Sequence, residues 1–141
     1  MKRLKTERGA ALLEAAITVP IILLISVGIF EFGRAYQTWQ VVTNASREGA
    51  RLAVIEGSTD ADVRARVNQY LTGGGLSSLD DSKIVLNRAV AFTGTTTGSQ
   101  IQVNYPFQFM VLNPVIRLIA PSDTTGQGTY VMTASTLMRN E

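Results

Sequence analysis

A chain of 141 residues allows one ordinary domain, less whatever a membrane segment takes from it. It contains no cysteine and no histidine, which excludes disulfides, thiol nucleophiles, the two commonest transition-metal ligands and the usual neutral-pH general base. Its charge is lopsided: Lys2, Arg3, Lys5 and Arg8 against Glu7 give residues 1–9 a net +3, and the remainder sums to −1, so the body offers no basic face for nucleic acid.

Behind the basic start comes an apolar run. Ala15 to Phe30 is 16 residues without a charge, and Ala10 to Leu13 extend it backwards across Glu14. About 20 helical residues span a hydrocarbon core, so residues 10–30 suffice. Four basic residues before the run predict an N-terminus held in the cytoplasm and a body carried across, with Phe30, Phe32, Tyr36 and Trp39 near the outer interface. A secretory signal peptide would have a shorter apolar core and a small-x-small cleavage site, which Ser26 and Gly28 mimic, but apolar residues continue past them. The core helix of a soluble protein is disfavoured by length and basic flank. A plain uncleaved anchor explains the hydrophobicity and leaves Glu14 unexplained, since a carboxylate at bilayer depth costs a few kcal/mol or more unless neutral or paired.

Between Phe32 and Ile55 there is no proline, and Phe32, Ala35, Trp39, Val42, Ser46, Gly49 and Ala53 recur at three- and four-residue steps. Joined to the apolar run, this predicts one helix from Ala10 to Glu56 of about 70 Å, stopped by Gly57-Ser58. Pro20 removes one backbone hydrogen bond and predicts a kink within the span. Ala45, Gly49 and Ala53 form a small-x3-small row that admits a close surface, most simply the chain's own sheet and otherwise a partner helix. Glu31 with Arg34, and Glu48 with Arg51, are spaced to pair on the solvated side.

Thr59-Asp60-Ala61-Asp62 reads as a helix start, followed by Val63, Val67, Tyr70 and Leu71 at helical spacing and closed by Gly73-Gly74-Gly75. "KIVLNRAVAF" (83–92) and "QIQVNYPFQF" (100–109) are strand-like around the hairpin loop "TGTTTGS", and Pro106 places the second at a sheet edge or a bulge. "MVLNPVIRLIA" (110–120), closed by Pro121, reads as a short helix lying on a membrane or a neighbour; a Gly/Thr-rich loop then leads to a last strand at 128–139. The fold class is α+β. Some 85 residues beyond Gly57 make a thin core alone, so the sheet is expected to pack on the outer half of the first helix. Asp80-Asp81 beside a glycine-rich turn reads as turn capping, and Gly73-Gly74-Gly75 lacks the Lys-Ser/Thr of a phosphate loop. Neither a catalytic constellation, a metal site nor a cofactor motif emerges, and the chain is read as a non-enzyme.

Arg8-Gly9 followed by Ala10-Ala11-Leu12-Leu13-Glu14 resembles the class III signal of type IV prepilins. "RGAALLEAAITVPIILLISVGIFEFGRAYQ" with "TNASREGARLAVIEG" further resembles the TadE-like family of the tight-adherence (Tad, or Flp) pilus system, which shares the R-G-A-x-x-x-E start, a mid-span proline, E-F-G-R at 31–34, N-A-x-R-E-G-A-R at 44–51 and "YPF" at 105–107. The specific part covers about residues 8–57. The resemblance implies a pilin-like fold, and cleavage by a prepilin peptidase between Gly9 and Ala10. The α-ammonium so made on Ala10 lies one helical turn from Glu14 and is able to pair with it, within one chain or between neighbours. It divides the chain into a leader (1–9), a transmembrane segment (10–31), an extracytoplasmic continuation of the helix (32–57) and a small α+β domain (58–141). The implied partners are the peptidase, other pilins or pseudopilins and the inner-membrane assembly platform, with homo- or hetero-oligomers formed through the N-terminal helix. The implied setting is a single-pass bacterial inner-membrane protein that reaches the pilus after processing. The alternative is an uncleaved signal-anchored envelope protein serving as scaffold or binding module.

Overall fold

The computed structural model describes residues 3–93, 96–119 and 128–140. The first helix, α1 (Arg3–Ala53), is 51 residues long, about 77 Å at 1.5 Å per residue. It stays helical through Pro20, whose ring leaves the Ala16 carbonyl without its usual donor. Every residue from Gly9 to Ser26 is exposed, whereas from Glu31 onward one face is buried. α1 stops at Ala53, three residues before the expected end at Glu56. There the Arg88 guanidinium donates to the Ala53 carbonyl at 2.8 Å, and the chain turns through Gly57 at φ 82°, a backbone state that favours glycine.

The second helix, α2 (Asp60–Gly73), begins with a reciprocal cap. The Thr59 hydroxyl accepts from the Asp62 backbone N–H at 3.2 Å, and the Asp62 carboxylate accepts from the Thr59 backbone N–H at 3.0 Å. It ends in a Schellman arrangement, with Leu76 N–H reaching the Leu71 carbonyl and Gly75 N–H the Thr72 carbonyl, and Gly75 at φ 80°. Val63, Val67 and Leu71 are buried, and α2 packs along α1.

Three strands, β1 (Ile84–Thr93), β2 (Thr96–Phe107) and β3 (Tyr130–Arg139), form an antiparallel sheet in the order β1-β2-β3. A short helix, α3 (Leu112–Ile119), lies between β2 and β3. β2 is therefore central, and not the edge strand that Pro106 suggested. Pairing with β1 ends at Ile84↔Val103, so at Pro106 β2 is flanked by β3 alone, through Pro106↔Val131. A proline is tolerated where the sheet is locally two-stranded. β1 carries an extra residue where the register passes from Asn87↔Gln100 to Val90↔Gly98, a bulge at Arg88-Ala89 that aims Arg88 at the end of α1. The expected hairpin loop is shorter than read, since the strands pair as far as Thr93↔Thr96. Residues 94–95 and the Gly/Thr-rich stretch from Ala120 to 127, Pro121 included, lie outside the described residues.

The alternating pattern of β2 turns Ile101, Val103, Tyr105 and Phe107 inward against the outer half of α1. The result is an α+β protein: a long apolar helix whose distal part carries α2 on one side and a three-stranded sheet on another. The core is small, which is why the helix has to supply part of it.

Candidate functional site

Two parts of α1 bear on function. The first is the unburied N-terminal part. Gly9 and Ala10 are exposed residues within the helix, and a Cβ on Gly9 would meet nothing within 4 Å. Glu14 is exposed one turn further on, and among the described residues no ion pair reaches it. Ser26 satisfies its hydroxyl inside the apolar run by donating to the Ile22 carbonyl at 2.8 Å. A window of this helix has a mean hydropathy of 2.4 with none of it buried, so α1 is long and apolar enough to cross a membrane once.

The second part is the junction where that exposed stretch meets the body. Glu31 is fully buried. Its Oε1 accepts the Val111 backbone N–H at 2.8 Å, and its Oε2 accepts Arg34 Nη2 at 3.0 Å. The same Arg34 nitrogen donates to the Gln108 carbonyl, and its guanidinium sits 4.6 Å from the Phe107 ring centroid. Phe107, Phe109 and Phe32 follow in edge-to-face contacts, with centroids 5.2 and 6.2 Å apart. The Glu31–Arg34 pair therefore does not lie on a solvated face as expected; it clamps the chain leaving β2 to the helix. Glu48 and Arg51, 3.2 Å apart, do pair near solvent.

The buried face of α1 runs through Glu31, Thr38, Val42, Ala45, Ser46, Gly49, Ala50 and Ala53. Near the exposed N-terminal stretch it is one residue out of step with the expected face, because Phe32 and Trp39 are exposed where Glu31 and Thr38 are buried. The polar pair is used because each has a partner: Thr38 donates to the Arg34 carbonyl, and Glu31 satisfies a loop N–H that no strand reaches. Further out, Ala45 and Ala53 are buried, and a Cβ on Gly49 would stand 2.6 Å from Val67 Cγ2 and 3.4 Å from Ile101 Cγ2. The small-residue row thus faces both α2 and β2 of its own chain. Ser46, also buried, bonds Thr136 of β3 at 2.8 Å.

Arg88 was not singled out by sequence reasoning. It donates to the carbonyls of Ala53 and Ser58 and pairs with Asp60 at 2.8 Å, joining α1, α2 and β1. Asp81 pairs with Arg64 at 3.6 Å, and the Asp80 side chain makes no cap, so the expected turn capping by these acids is replaced by an ion pair. Among the described residues, no group of three or more acidic side chains is placed to hold a metal ion.

A long apolar helix that continues into a small α+β body is a pilin-like architecture, and among the described residues α1 alone is long and apolar enough to cross a membrane. Residues 9–51 match the model of the family described as TadE-like protein, the family that the motifs resemble. The match covers the exposed helix and its buried continuation almost to the end of α1, and leaves the sheet outside it. No curated protein and no solved structure matches the chain.

Proposed function

We propose that this chain is a minor pilin or pseudopilin that takes part in the assembly or initiation of a Tad-type adhesive pilus. The observation that carries the reading is the continuity of α1: one helix is unburied over Gly9–Ser26, with Glu14 set in that apolar stretch, and then becomes the spine of the body. In this reading residues 1–9 are a leader on the cytoplasmic side of the inner membrane, residues 10–31 span it, 32–57 continue the helix outside, and 58–141 fold against that continuation. A prepilin peptidase cuts between Gly9 and Ala10. Glycine weakens a helix by roughly 1 kcal/mol relative to alanine, which eases the local unwinding a peptidase needs to reach that bond. Glu14 then pairs with the new α-ammonium of Ala10, on its own chain or a neighbour, and this pairing sets register when subunits dock through their N-terminal helices. Pro20 is a kink that the span tolerates, and the row Ala45, Gly49 and Ala53 holds the body on the helix. Other pilins or pseudopilins and the inner-membrane assembly platform are the partners.

The test is the N-terminal sequence of the protein recovered from membranes and from sheared surface material. A chain beginning at Ala10 in the sheared fraction is expected; one beginning at Met1, in membranes alone, would overturn the proposal and favour an uncleaved anchored scaffold. Replacing Gly9 with a bulky residue should leave the precursor uncut. Glu14→Leu should be inserted and cut yet fail to assemble, and normal assembly of that variant would refute the pairing.

A further inference from the structure

The strand β2 returns the chain to the level at which α1 emerges from its apolar stretch. Ile101 lies beside Gly49 and Phe107 beside Arg34, so β2 runs antiparallel to α1, towards the exposed end of the helix. The excursion from Gln108 to Thr129 begins and ends there, since Phe107 pairs with Tyr130. Val111 is bonded directly to Glu31, the residue that follows the last apolar position of the run, Phe30. At this end the body presents Met110 (67% exposed), Val111, Tyr130 (66%) and Val131 to the outside, and Phe109 meets the exposed Phe32 of α1 edge to face. Residues 108–119 contain one charged side chain, Arg117, and it is exposed.

An apolar collar at the height where a membrane helix leaves the bilayer has an obvious neighbour, the lipid surface itself. We propose that Met110, Val111 and α3 form an interfacial foot: a second contact of this protein with the bilayer, lying at headgroup level beside the exit of α1. The proposal rests on the reading of α1 as a membrane span. Met110 and Val111 enter the boundary between headgroups and acyl chains, and Arg117 meets headgroup phosphates, the arrangement of short amphipathic interfacial segments. So short a segment would bind a bilayer weakly if free. Here α1 already holds it at the surface, so docking is intramolecular and needs little intrinsic affinity. The clamp of Glu31 and Arg34 makes foot and helix one unit, and the foot fixes how the body leans on the membrane.

The absence of native cysteine makes single-cysteine spin labelling direct. Labels at Met110→Cys, Ile22→Cys and Leu137→Cys, all exposed positions, are compared in the full chain reconstituted in vesicles of phosphatidylethanolamine and phosphatidylglycerol. Relaxation by oxygen, which concentrates in lipid, is set against relaxation by a water-soluble nickel chelate. The label at 22 should favour oxygen, that at 137 on the distal part of β3 should favour nickel, and that at 110 should fall between them. If 110 behaves like 137 while 22 is in lipid, the foot is refuted and the span stands. If 22 is open to nickel, the span itself fails and the foot with it. Protection of 110 from both reagents would mean that a protein neighbour covers the collar, and would overturn the proposal as well.

Discussion

Replacing Glu31 with alanine probes the clamp most directly. The change removes the acceptor of the Val111 N–H, bonded at 2.8 Å, and the partner of Arg34 at 3.0 Å. Arg34 keeps its bond to the Gln108 carbonyl and its place by the Phe107 ring, and at 30% side-chain exposure it can rehydrate. The loss is therefore that of one charge-assisted hydrogen bond and a weakened pair, about 2 kcal/mol, below the 3–5 kcal/mol of breaking a fully buried ion pair. Glu31→Gln preserves an acceptor for Val111 at lower charge and should cost about half as much. Urea unfolding of the full chain in detergent micelles, followed by the fluorescence of the single tryptophan, Trp39, reads the change. Hydrogen exchange localises it: the Val111 amide should lose about thirtyfold of its protection in the alanine variant, the factor equivalent to 2 kcal/mol. An alanine variant within about 0.5 kcal/mol of the parent, with Val111 exchange unchanged, would refute the clamp.

Gly49→Val should destabilise the body by about 2 kcal/mol through overpacking against Val67 and Ile101, whereas Gly33→Ala, which meets open space, should be neutral or stabilising by up to about 1 kcal/mol; the same urea titration separates the two. Arg88→Ala should cost about 1–2 kcal/mol and speed amide exchange in the last turn of α1, and Arg88→Lys should recover only part of it, because a single ammonium cannot reproduce the planar fork to Ala53, Ser58 and Asp60. The Thr59 hydroxyl, and after it the Thr59 backbone N–H, hold the Asp62 carboxyl below its ordinary pKa. Its contribution is thus complete above about pH 4 and fades as the pH falls through the lowered folded-state value. The stability gap between parent and Asp62→Asn should therefore narrow in acid, and a gap equal at neutral and acid pH would exclude this origin.

Local chemistry was legible in the sequence where a few neighbouring residues decide the outcome. Thr59 and Asp62 announce a helix start, the alternation from Ile101 to Phe107 announces a strand, and the length of apolar helix follows from its composition. The miscalculated features all depend on partners distant in sequence. Glu31 looked like a surface acid because the Val111 N–H that it satisfies is 80 residues away. Pro106 suggested an edge because the strand that stops short of it, β1, cannot be measured from β2 alone. Phe32 and Trp39 drew the expected helix face one residue aside, since bulk outweighs a buried carboxylate in any hydropathy pattern. Arg88 gave no signal at all; its role appears only when the bulge at Arg88-Ala89 and the end of α1 are brought together.

The register of β2 and β3 has a mechanical consequence. The ladder extends from Phe107↔Tyr130 at the apolar end of the molecule to Gly98↔Arg139 at the far end, where Asn140 bonds the Arg88 carbonyl. A tension applied between the buried length of α1 and the far end of β3 acts along this ladder and not across it. The paired residues are then loaded together in shear, and no terminal pair is peeled open before the rest.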